Sequence, residues 1–214
     1  IVPHAGWICS GAVAGQTIAT LAAQGPVDVV VIFGAVHTPL PLNRGAMDSR
    51  ARWRLPSGDS ELAADLERRL AEVRGVFTTD PRFHDREHSI EVEVPLVQQA
   101  WPGAQILPIE VPLDPIAPEV GRQTVRILKE AGSRAMYLAS TDLTHYGPNY
   151  RFTPAGVGIG GIGWAMDNDR RLLEVIGRLA AERIVSEVGS RMNACGGGAI
   201  AALLAACREL GAKQ

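Results

Sequence analysis

The hydrophobic positions of this chain form continuous runs in some places and helical spacings in others. Residues 27–35, VDVVVIFGA, are an almost unbroken β-branched run, which is typical of a strand buried on both faces of a parallel sheet. The runs AQILPIEVP at 104–112 and SRAMYLAS at 133–140 predict two further strands. The first residues, IVPH, predict a short strand that precedes the others.

Helices are predicted between these runs. Residues 10–25 consist mostly of small and apolar residues and predict a well-buried helix. Residues 57–75 have Asp59 or Ser60 as the cap and apolar residues at helical spacing, which predicts an outer, half-solvated helix. Further helices are predicted at 117–132, 169–189 (in two pieces) and 195–210.

Two segments are less regular. Residues 87–101, EHSIEVEVPLVQQAW, alternate like a strand at first, but Pro95 and the residues after it favour a helix. Residues 152–169 contain a cluster of glycines, yet no strand precedes them as a dinucleotide-binding loop requires, so a mobile loop is expected.

The alternation of strands and helices indicates an α/β fold. We expect a single-domain three-layer α/β/α sandwich over residues 1–214, with a mainly parallel central sheet. A length of 214 residues with 46% apolar residues is enough to bury one sizeable core.

Composition narrows the classes of partner. Lys and Arg number 21 against 23 Asp and Glu, so no basic surface is indicated and nucleic acid is not an expected partner. No apolar run reaches the roughly 18 residues of a membrane span, and the first residues do not resemble a signal peptide. Three cysteines, an odd number, argue for a reducing compartment, so a cytoplasmic protein without membrane partners is expected.

Candidate chemistry follows the predicted strands. In parallel sheets, ligands bind beyond the carboxyl ends of the strands, where the loops converge. His4 follows the first predicted strand, His37 the second, and Asp142 and His145 follow the run at 133–140. Cys195 comes immediately before a predicted helix, where the orphan amides lower the pKa of a thiol.

Histidines and a thiolate suit a transition metal such as iron, copper or zinc, whereas calcium and magnesium prefer oxygen ligands. Two histidines and one anionic ligand leave coordination positions open for a small oxidant or a substrate. Taken singly, a loop histidine is more often a hydrogen-bonding group. Similarly, Asp142 alone can be a turn residue, and Cys195 alone can be a small buried residue.

The segment around 84–91 allows two interpretations. His84 and His88 are surrounded by charged residues, which is typical of a solvated helix start. Alternatively, His88 and Glu91 lie one helical turn apart and form a relay or orienting pair in the second shell of the same pocket. Cys9 and Cys207 are interpreted as structural, with Cys9 close enough in sequence to His4 to belong to that second shell.

Four motifs, in order, carry a resemblance to a known family: VPHAGWICSG (2–11), REHSIEVEVPLVQ (86–98), STDLTHYG (140–147) and NACGGGAI (193–200). They resemble the Memo family, also called AmmeMemoRadiSam system protein B, which shares its fold with the class III extradiol dioxygenases. The motifs extend over nearly the whole chain. The resemblance therefore implies a class III extradiol dioxygenase-like fold.

The resemblance also implies a set of site residues. The dioxygenases hold iron(II) with two histidines and a glutamate, and a further histidine is the acid/base. His4 and His37 match the two histidine ligands, Cys195 stands in place of the glutamate, and His145 matches the acid/base. Asp142 belongs to the same motif and is expected in the pocket. Because a thiolate is softer than a carboxylate and can itself be oxidised, ring-cleaving activity does not carry over directly.

Three functional hypotheses follow. The first is a Memo-like protein whose mononuclear iron or copper site, with zinc as a further option, supports a redox reaction on an unknown substrate. The second is an iron(II) ring-cleaving dioxygenase. The third is a non-catalytic module that uses the pocket to bind a peptide or small ligand. The resemblance further implies a functional link to a radical S-adenosylmethionine protein, and family members with additional strand beyond the position of Gln214.

Overall fold

The structure is a computed structural model that describes residues 1–213. It has a mixed α/β architecture in which helices flank a mainly parallel sheet, as the sequence predicts. The strands are β1 (Val29–Gly34), β2 (Gly45–Met47), β3 (Arg52–Leu55), β4 (Gly58–Glu61), β5 (Phe77–Thr79), β6 (Gln105–Glu110) and β7 (Ala135–Ala139). The helices are α1 (Trp7–Ala22), α2 (Ala64–Ala71), α3 (Val94–Ala100), α4 (Ala117–Glu130), α5 (Ile159–Gly177), α6 (Ala181–Arg191) and α7 (Gly197–Glu209).

The central sheet has the strand order β5-β2-β6-β1-β7. β1 pairs in parallel with β6 and β7, with Val31 opposite Leu107 on one side and Tyr137 on the other. β2 is antiparallel to β6 and parallel to β5, while β3 and β4 form a separate hairpin. All six residues of β1 are buried, which explains why its sequence is a continuous apolar run.

The two faces of the sheet have separate hydrophobic cores. Val30 and Ile32 of β1 pack on one face with residues of α1 and α3. Val31 and Phe33 pack on the other face with residues of α2, α4, α5, α6 and α7. Because successive strand residues point to opposite faces, β1 contributes to both cores. The result is the expected three-layer α/β/α sandwich.

Small residues let α7 approach the sheet and α4 closely. A Cβ atom on Gly121 of α4 would lie 1.9 Å from the carbonyl oxygen of Ala202 in α7. A Cβ atom on Gly198 would lie 2.2 Å from the carbonyl oxygen of Pro112. These glycines are therefore required by backbone contact, and they place the start of α7 directly beside the carboxyl end of β6.

Two predicted elements at the edges of the fold are different in the structure. The predicted strand IVPH is reduced to a single parallel bridge between Val2 and Ser140, because Pro3 has no N–H to continue the ladder. The predicted cap at Asp59 or Ser60 is wrong, because these residues belong to strand β4 and pair with β3. Helix α2 starts only at Ala64, after the hairpin.

The two irregular segments are partly helical. Residues 89–93 are turns, and α3 begins at Val94 with Pro95 in its first turn, so the helix predicted there covers only the second half of the segment. The mobile loop expected at 152–169 is wrong for its second half, since α5 begins at Ile159. A Cβ atom on Gly161 would lie 2.6 Å from a ring carbon of Tyr146, so that glycine provides room for an aromatic side chain. Within residues 1–213, no helix is both long and apolar enough to cross a membrane.

Candidate metal centre

Residues from distant parts of the chain converge at the carboxyl ends of β1 and β7. His4 follows the bridge at Val2, His37 lies in the loop after β1, and Cys195 precedes α7. The ligand atoms of these three side chains all lie within 4.8 Å of one another. The structure thus brings together the three residues that the sequence singles out as candidate metal ligands.

His4 is oriented by a serine. Its Nδ1 lies 2.9 Å from Ser140 Oγ, and the Ser140 hydroxyl donates to the carbonyl of Ser89 at 2.6 Å. A hydroxyl has one hydrogen and a carbonyl only accepts, so Ser140 must accept a hydrogen bond from His4 Nδ1–H. The Nε2 atom of His4 lies 3.1 Å from Cys195 Sγ.

His37 is oriented by a buried carboxylate. Its Nδ1 donates to Glu87 Oε1 at 2.8 Å, and its backbone N–H donates to Glu87 Oε2 at 2.6 Å. Glu87 Oε1 also accepts the backbone N–H groups of His88 and Ser89. Although burial opposes ionisation, the hydrogen bonds from His37 and from the Ser89 amide lower the pKa of Glu87 to about 2. Hydrogen bonds to Cys195 and Glu87 raise the pKa of His37 to about 10.

The sulfur of Cys195 faces several hydrogen-bond donors. The backbone N–H of Asp142 donates to Sγ at 3.2 Å, and the two candidate histidine ligands flank the same atom. Burial raises the pKa of the Cys195 thiol, but hydrogen bonds from His37 and His4 outweigh this and lower it to about 5. Cys195 is therefore a thiolate at neutral pH, which is the form that binds metals.

The glycines after Cys195 hold the thiolate against β7. Gly196 donates its N–H to Thr141 Oγ1 at 2.9 Å, and a Cβ atom on Gly196 would lie 2.5 Å from the carbonyl oxygen of Ser140. The backbone N–H of Cys195 donates to the carbonyl of Asp142 at 3.2 Å. The close approach of these two loops places the sulfur next to both histidines.

Asp142 and His145 lie beside the three candidate ligands. Asp142 Oδ1 accepts the backbone N–H groups of His4 (2.9 Å) and Ala5 (3.2 Å), and Oδ2 lies 3.7 Å from His145 Nε2. The contact with Asp142 raises the pKa of His145. Burial works against ionisation of Asp142, yet the contacts with His145 and His4 lower its pKa. The pair is thus a carboxylate that fixes the His4 backbone and a histidine whose protonated form that carboxylate favours.

Comparison with known proteins gives the family. The family model for Memo-like protein matches residues 1–214. The MEMO1 family protein MK0963 of Methanopyrus kandleri is 32% identical over 219 residues, which cover 100% of this chain and 72% of the relative. A MEMO1 family protein of Methanococcoides burtonii is 32% identical over 222 residues, covering 100% and 75%. The chain belongs to the Memo-like family.

A solved structure supports the fold of this Memo-like chain. The crystal structure of the uncharacterized protein JW3007 from Escherichia coli K12 superposes with a TM-score of 0.55. The match covers 90% of this chain and 81% of that protein, with 15% sequence identity. At this identity the likeness concerns the fold alone.

The residues predicted for the second shell lie in different places in this Memo-like chain. The ring of His88 lies 5.3 Å from that of His4 and 4.9 Å from that of His37, measured between centroids. Its side chain is 55% exposed, so it forms the outer side of the cluster. Glu91, in contrast, is exposed and lines a cleft of about 740 Å³ together with Trp7 and Glu87. Cys9 is exposed on α1.

The interpretation of His84 as part of a solvated helix start is wrong. It is buried, and its Nδ1 lies 3.7 Å from Glu110 Oε1. The supporting residues Glu87 and Ser140 were missed by the sequence interpretation. Both lie inside the family motifs, but Glu87 stands in a charged segment that is typical of solvent-exposed sequence, so its burial could not be read from the local pattern.

Among the residues that the structure describes, two other groups of side chains also have ligand atoms within 4.8 Å of one another. One contains His37, Glu87 and His88, and the other contains Asp142, His145 and Cys195. The first is a poor metal site because Glu87 already accepts four N–H groups. The second shares its sulfur with His4 and His37, so the two groups are alternative candidate positions for one ion.

Proposed function

We propose that His4, His37 and Cys195 bind one transition-metal ion, and that the centre supports a redox reaction on a small substrate. The observation that carries this proposal is the convergence of three ligand atoms within 4.8 Å. Both histidines also have their Nδ1 atoms engaged, by Ser140 and Glu87, which directs each Nε2 towards the sulfur. Such outer hydrogen bonds are the usual companions of histidine ligands.

The donor set fits a borderline or soft metal. Two imidazole nitrogens and a thiolate suit iron, copper or zinc better than they suit calcium or magnesium. Of these, iron and copper change oxidation state and are the occupants we propose for a redox role, with zinc as the redox-inactive competitor. When bound, such an ion would supply Lewis-acid and electron-transfer chemistry at its open positions.

The neighbouring residues supply proton transfer. His145 is partly exposed, and its Nε2 faces Asp142 Oδ2 at 3.7 Å, so Asp142 stabilises the protonated ring. A pocket of about 240 Å³ opens beside Cys195 and His145, with apolar walls from Leu143, Phe152 and Met192. A small substrate group in this pocket would lie next to the sulfur and within reach of the His145 proton. Apolar walls would also limit the access of water.

Metal analysis of protein purified without oxygen tests the proposal. We expect about one iron, copper or zinc ion per chain in the wild type, because the donor set has the geometry of a mononuclear site. The double variant His4→Ala, His37→Ala should contain almost none. Cys9→Ser provides a matched control, since Cys9 is an exposed thiol on α1. Equal metal content in the wild type and the double variant would rule out this site.

An anomalous-scattering map from a crystal would locate the ion. We expect the peak between His4, His37 and Cys195. A peak between Asp142, His145 and Cys195 would assign the ion to the competing group. Oxygen uptake by anaerobically iron-loaded protein, measured with a panel of small reductants and catechols, would then test the redox role.

A further inference from the structure

The hairpin of β3 and β4 leaves one edge of β3 open. β3 pairs with β4 on one side, and β4 is its only neighbour among the strands that the structure describes. All four residues of β3 line the cleft of about 740 Å³. Because successive side chains of a strand point to opposite faces, a cleft that meets four consecutive residues borders the backbone edge of the strand. We refer to Arg52–Leu55 and the cleft beside them as the β3 edge.

The hydrogen bonds of the hairpin show which backbone groups face this edge. Leu62 donates its N–H to the carbonyl of Ala51 at 3.0 Å. In an antiparallel ladder, hydrogen-bonded pairs alternate with non-bonded pairs, so the next bonded residue of β3 is Trp53. The N–H and C=O groups of Arg52 and Arg54 therefore point away from β4. These are the groups that an additional strand would bond.

The two faces of β3 differ in chemistry. The side chains of Arg52 and Arg54 are 63% and 89% exposed, and they approach the same carboxylate, Asp59, at 3.2 and 3.8 Å. One carboxylate neutralises only one of the two guanidinium charges. Trp53 and Leu55 are half-buried on the other face and pack against the core that α1 and α3 cover. A strand added here would meet positive charge at alternate positions and apolar surface between them.

The rest of the cleft suits an extended segment. Trp7, Val92 and Pro95, at the starts of α1 and α3, give it further apolar lining. The indole N–H of Trp7 donates to the carbonyl of Val92 at 2.9 Å, which ties these two positions together. The cleft volume is within the range of about 300–1,000 Å³ that is typical of ligand sites. A four-residue strand opposite β3 would be about 13 Å long.

Charge decides between two kinds of occupant. If two copies of this chain paired their β3 edges around a twofold axis, arginines of one copy would lie opposite arginines of the other, on the same face. Like charges that lie directly opposite destabilise a pair of strands, and charged residues on an edge are a known device against self-pairing. Carboxylates at the same positions would turn this repulsion into attraction.

We propose that the β3 edge binds an extended segment of a partner protein in which acidic and apolar residues alternate. The main chain of the segment bonds to the outward N–H and C=O groups of Arg52 and Arg54. Its carboxylates face the two guanidinium groups, and its apolar side chains lie beside Trp53. Addition of a strand to an open sheet edge is a general mode of peptide recognition. The proposal does not depend on a metal ion in the candidate centre.

A capped hexapeptide of alternating glutamate and valine is the probe, and amide nitrogen–proton spectra of this chain follow its binding. In the free chain, the amides of Arg52 and Arg54 should exchange hydrogen faster than that of Trp53, which already bonds to β4. The peptide should shift and protect the two arginine amides. A peptide with lysine in place of glutamate should bind at least about tenfold more weakly, because it places like charges opposite the arginines.

N-methylation tests the main-chain hydrogen bonds. The N–H groups of alternate residues point to the same edge of an extended peptide, so methylation of the glutamates and methylation of the valines block opposite edges. We expect one of these two peptides to lose at least about tenfold in affinity, through loss of its hydrogen bonds to β3. The other should bind within about threefold of the unmethylated peptide. This comparison needs no variant of the protein.

A charge reversal tests the side chains. Arg54→Glu should weaken binding of the glutamate peptide about tenfold and should make the lysine peptide the better ligand. Arg68→Glu is the matched control, since Arg68 is a 76% exposed arginine on α2 and does not line the cleft. It should bind both peptides within about twofold of the wild type.

Several results would overturn the proposal. One is the absence of saturable binding of the glutamate peptide below about 1 mM, and another is equal binding of the two methylated peptides. Equal loss in Arg54→Glu and Arg68→Glu would mean unspecific attraction between charges. Self-association of the free chain that protects the amides of Arg52 and Arg54 would assign the edge to a second copy.

Discussion

His4 and His37 are the same type of side chain facing the same sulfur, but different groups stand behind them. His37 donates to a fully buried carboxylate, Glu87, which raises the pKa of its ring. His4 donates to a neutral hydroxyl, Ser140. The His37 ring therefore carries positive charge next to the Cys195 thiolate, whereas the group behind His4 is neutral. The difference shows that the charge and the geometry of this centre are set by separate residues.

The largest effect on Zn²⁺ binding is expected for Cys195, whose sulfur both histidines face. Cys195→Ser should weaken Zn²⁺ binding more than about 100-fold, because loss of a ligand exceeds the 10- to 100-fold effect of losing an outer partner. Chelator competition measures the change. Cys9→Ser should bind like the wild type. An unchanged affinity in Cys195→Ser would show that the sulfur is not a metal ligand.

The next prediction separates charge from geometry. Glu87→Gln should weaken Zn²⁺ binding about 10- to 100-fold, because His37 loses the carboxylate that orients its ring. It should also raise the pKa of the Cys195 thiol from about 5, because His37 loses the anion that favours its protonated form. Thiolate absorbance, followed against pH, measures the thiol. Ser140→Ala should leave that pKa nearly unchanged. If both variants raise it equally, the two sides of the centre do not differ as described.

Glu67 is a buried acid outside the candidate metal centre, and its effect on stability can be compared with that of Glu87. Burial raises the pKa of Glu67 to about 8, and Asp48 adds to this. Between about pH 5 and pH 8 Glu67 is then neutral in the folded protein and ionised in the unfolded chain, so its contribution to stability falls as pH rises. Glu67→Gln has no carboxyl group to titrate and therefore does not lose stability in this way. Relative to the wild type it should gain about 1–2 kcal/mol in unfolding free energy over that range.

Urea unfolding at both ends of the range measures the Glu67 effect. The sign is opposite to that of Glu87, whose pKa is lowered and whose ionisation therefore favours the folded state at neutral pH. A wild-type protein whose stability rises relative to Glu67→Gln between about pH 5 and pH 8 would contradict the assignment.

The smallest effect is expected for the residue beside the three ligands. His145→Gln should change the Zn²⁺ dissociation constant by less than about threefold, because the ring contacts Asp142 and is not one of the three converging donors. Turnover, once a substrate is found, should fall through loss of the proton. A loss of affinity comparable with Cys195→Ser would instead place the ion in the competing group.

Several features could be predicted from local sequence. The continuous run of β1 indicated a strand buried on both faces, and the small residues from Cys195 onwards indicated a closely packed helix. The candidate ligands were also recognisable, because each stands directly after a predicted strand or before a predicted helix, and parallel strands bring such positions together. The family motifs contain His4 and Cys195, whereas His37 lies outside them.

Other features depended on contacts between distant segments. The hairpin that replaces the predicted helix start at Asp59 exists because β3 pairs with β4, a choice that the helical spacing of the residues after it concealed. The first turn of α5 contains glycines that disfavour a helix locally, and one of them makes room for Tyr146.

The sequence by itself determined the layers of the fold and the types of side chain at the ends of its strands, since periodicity and residue chemistry are local properties. Only the tertiary structure decided which nitrogen of each histidine faces the sulfur. That choice depends on Ser140, 136 residues from His4 in the chain, and on Glu87, 50 residues from His37. Hydrogen bonds form over about 3 Å in space and have no counterpart in local sequence patterns.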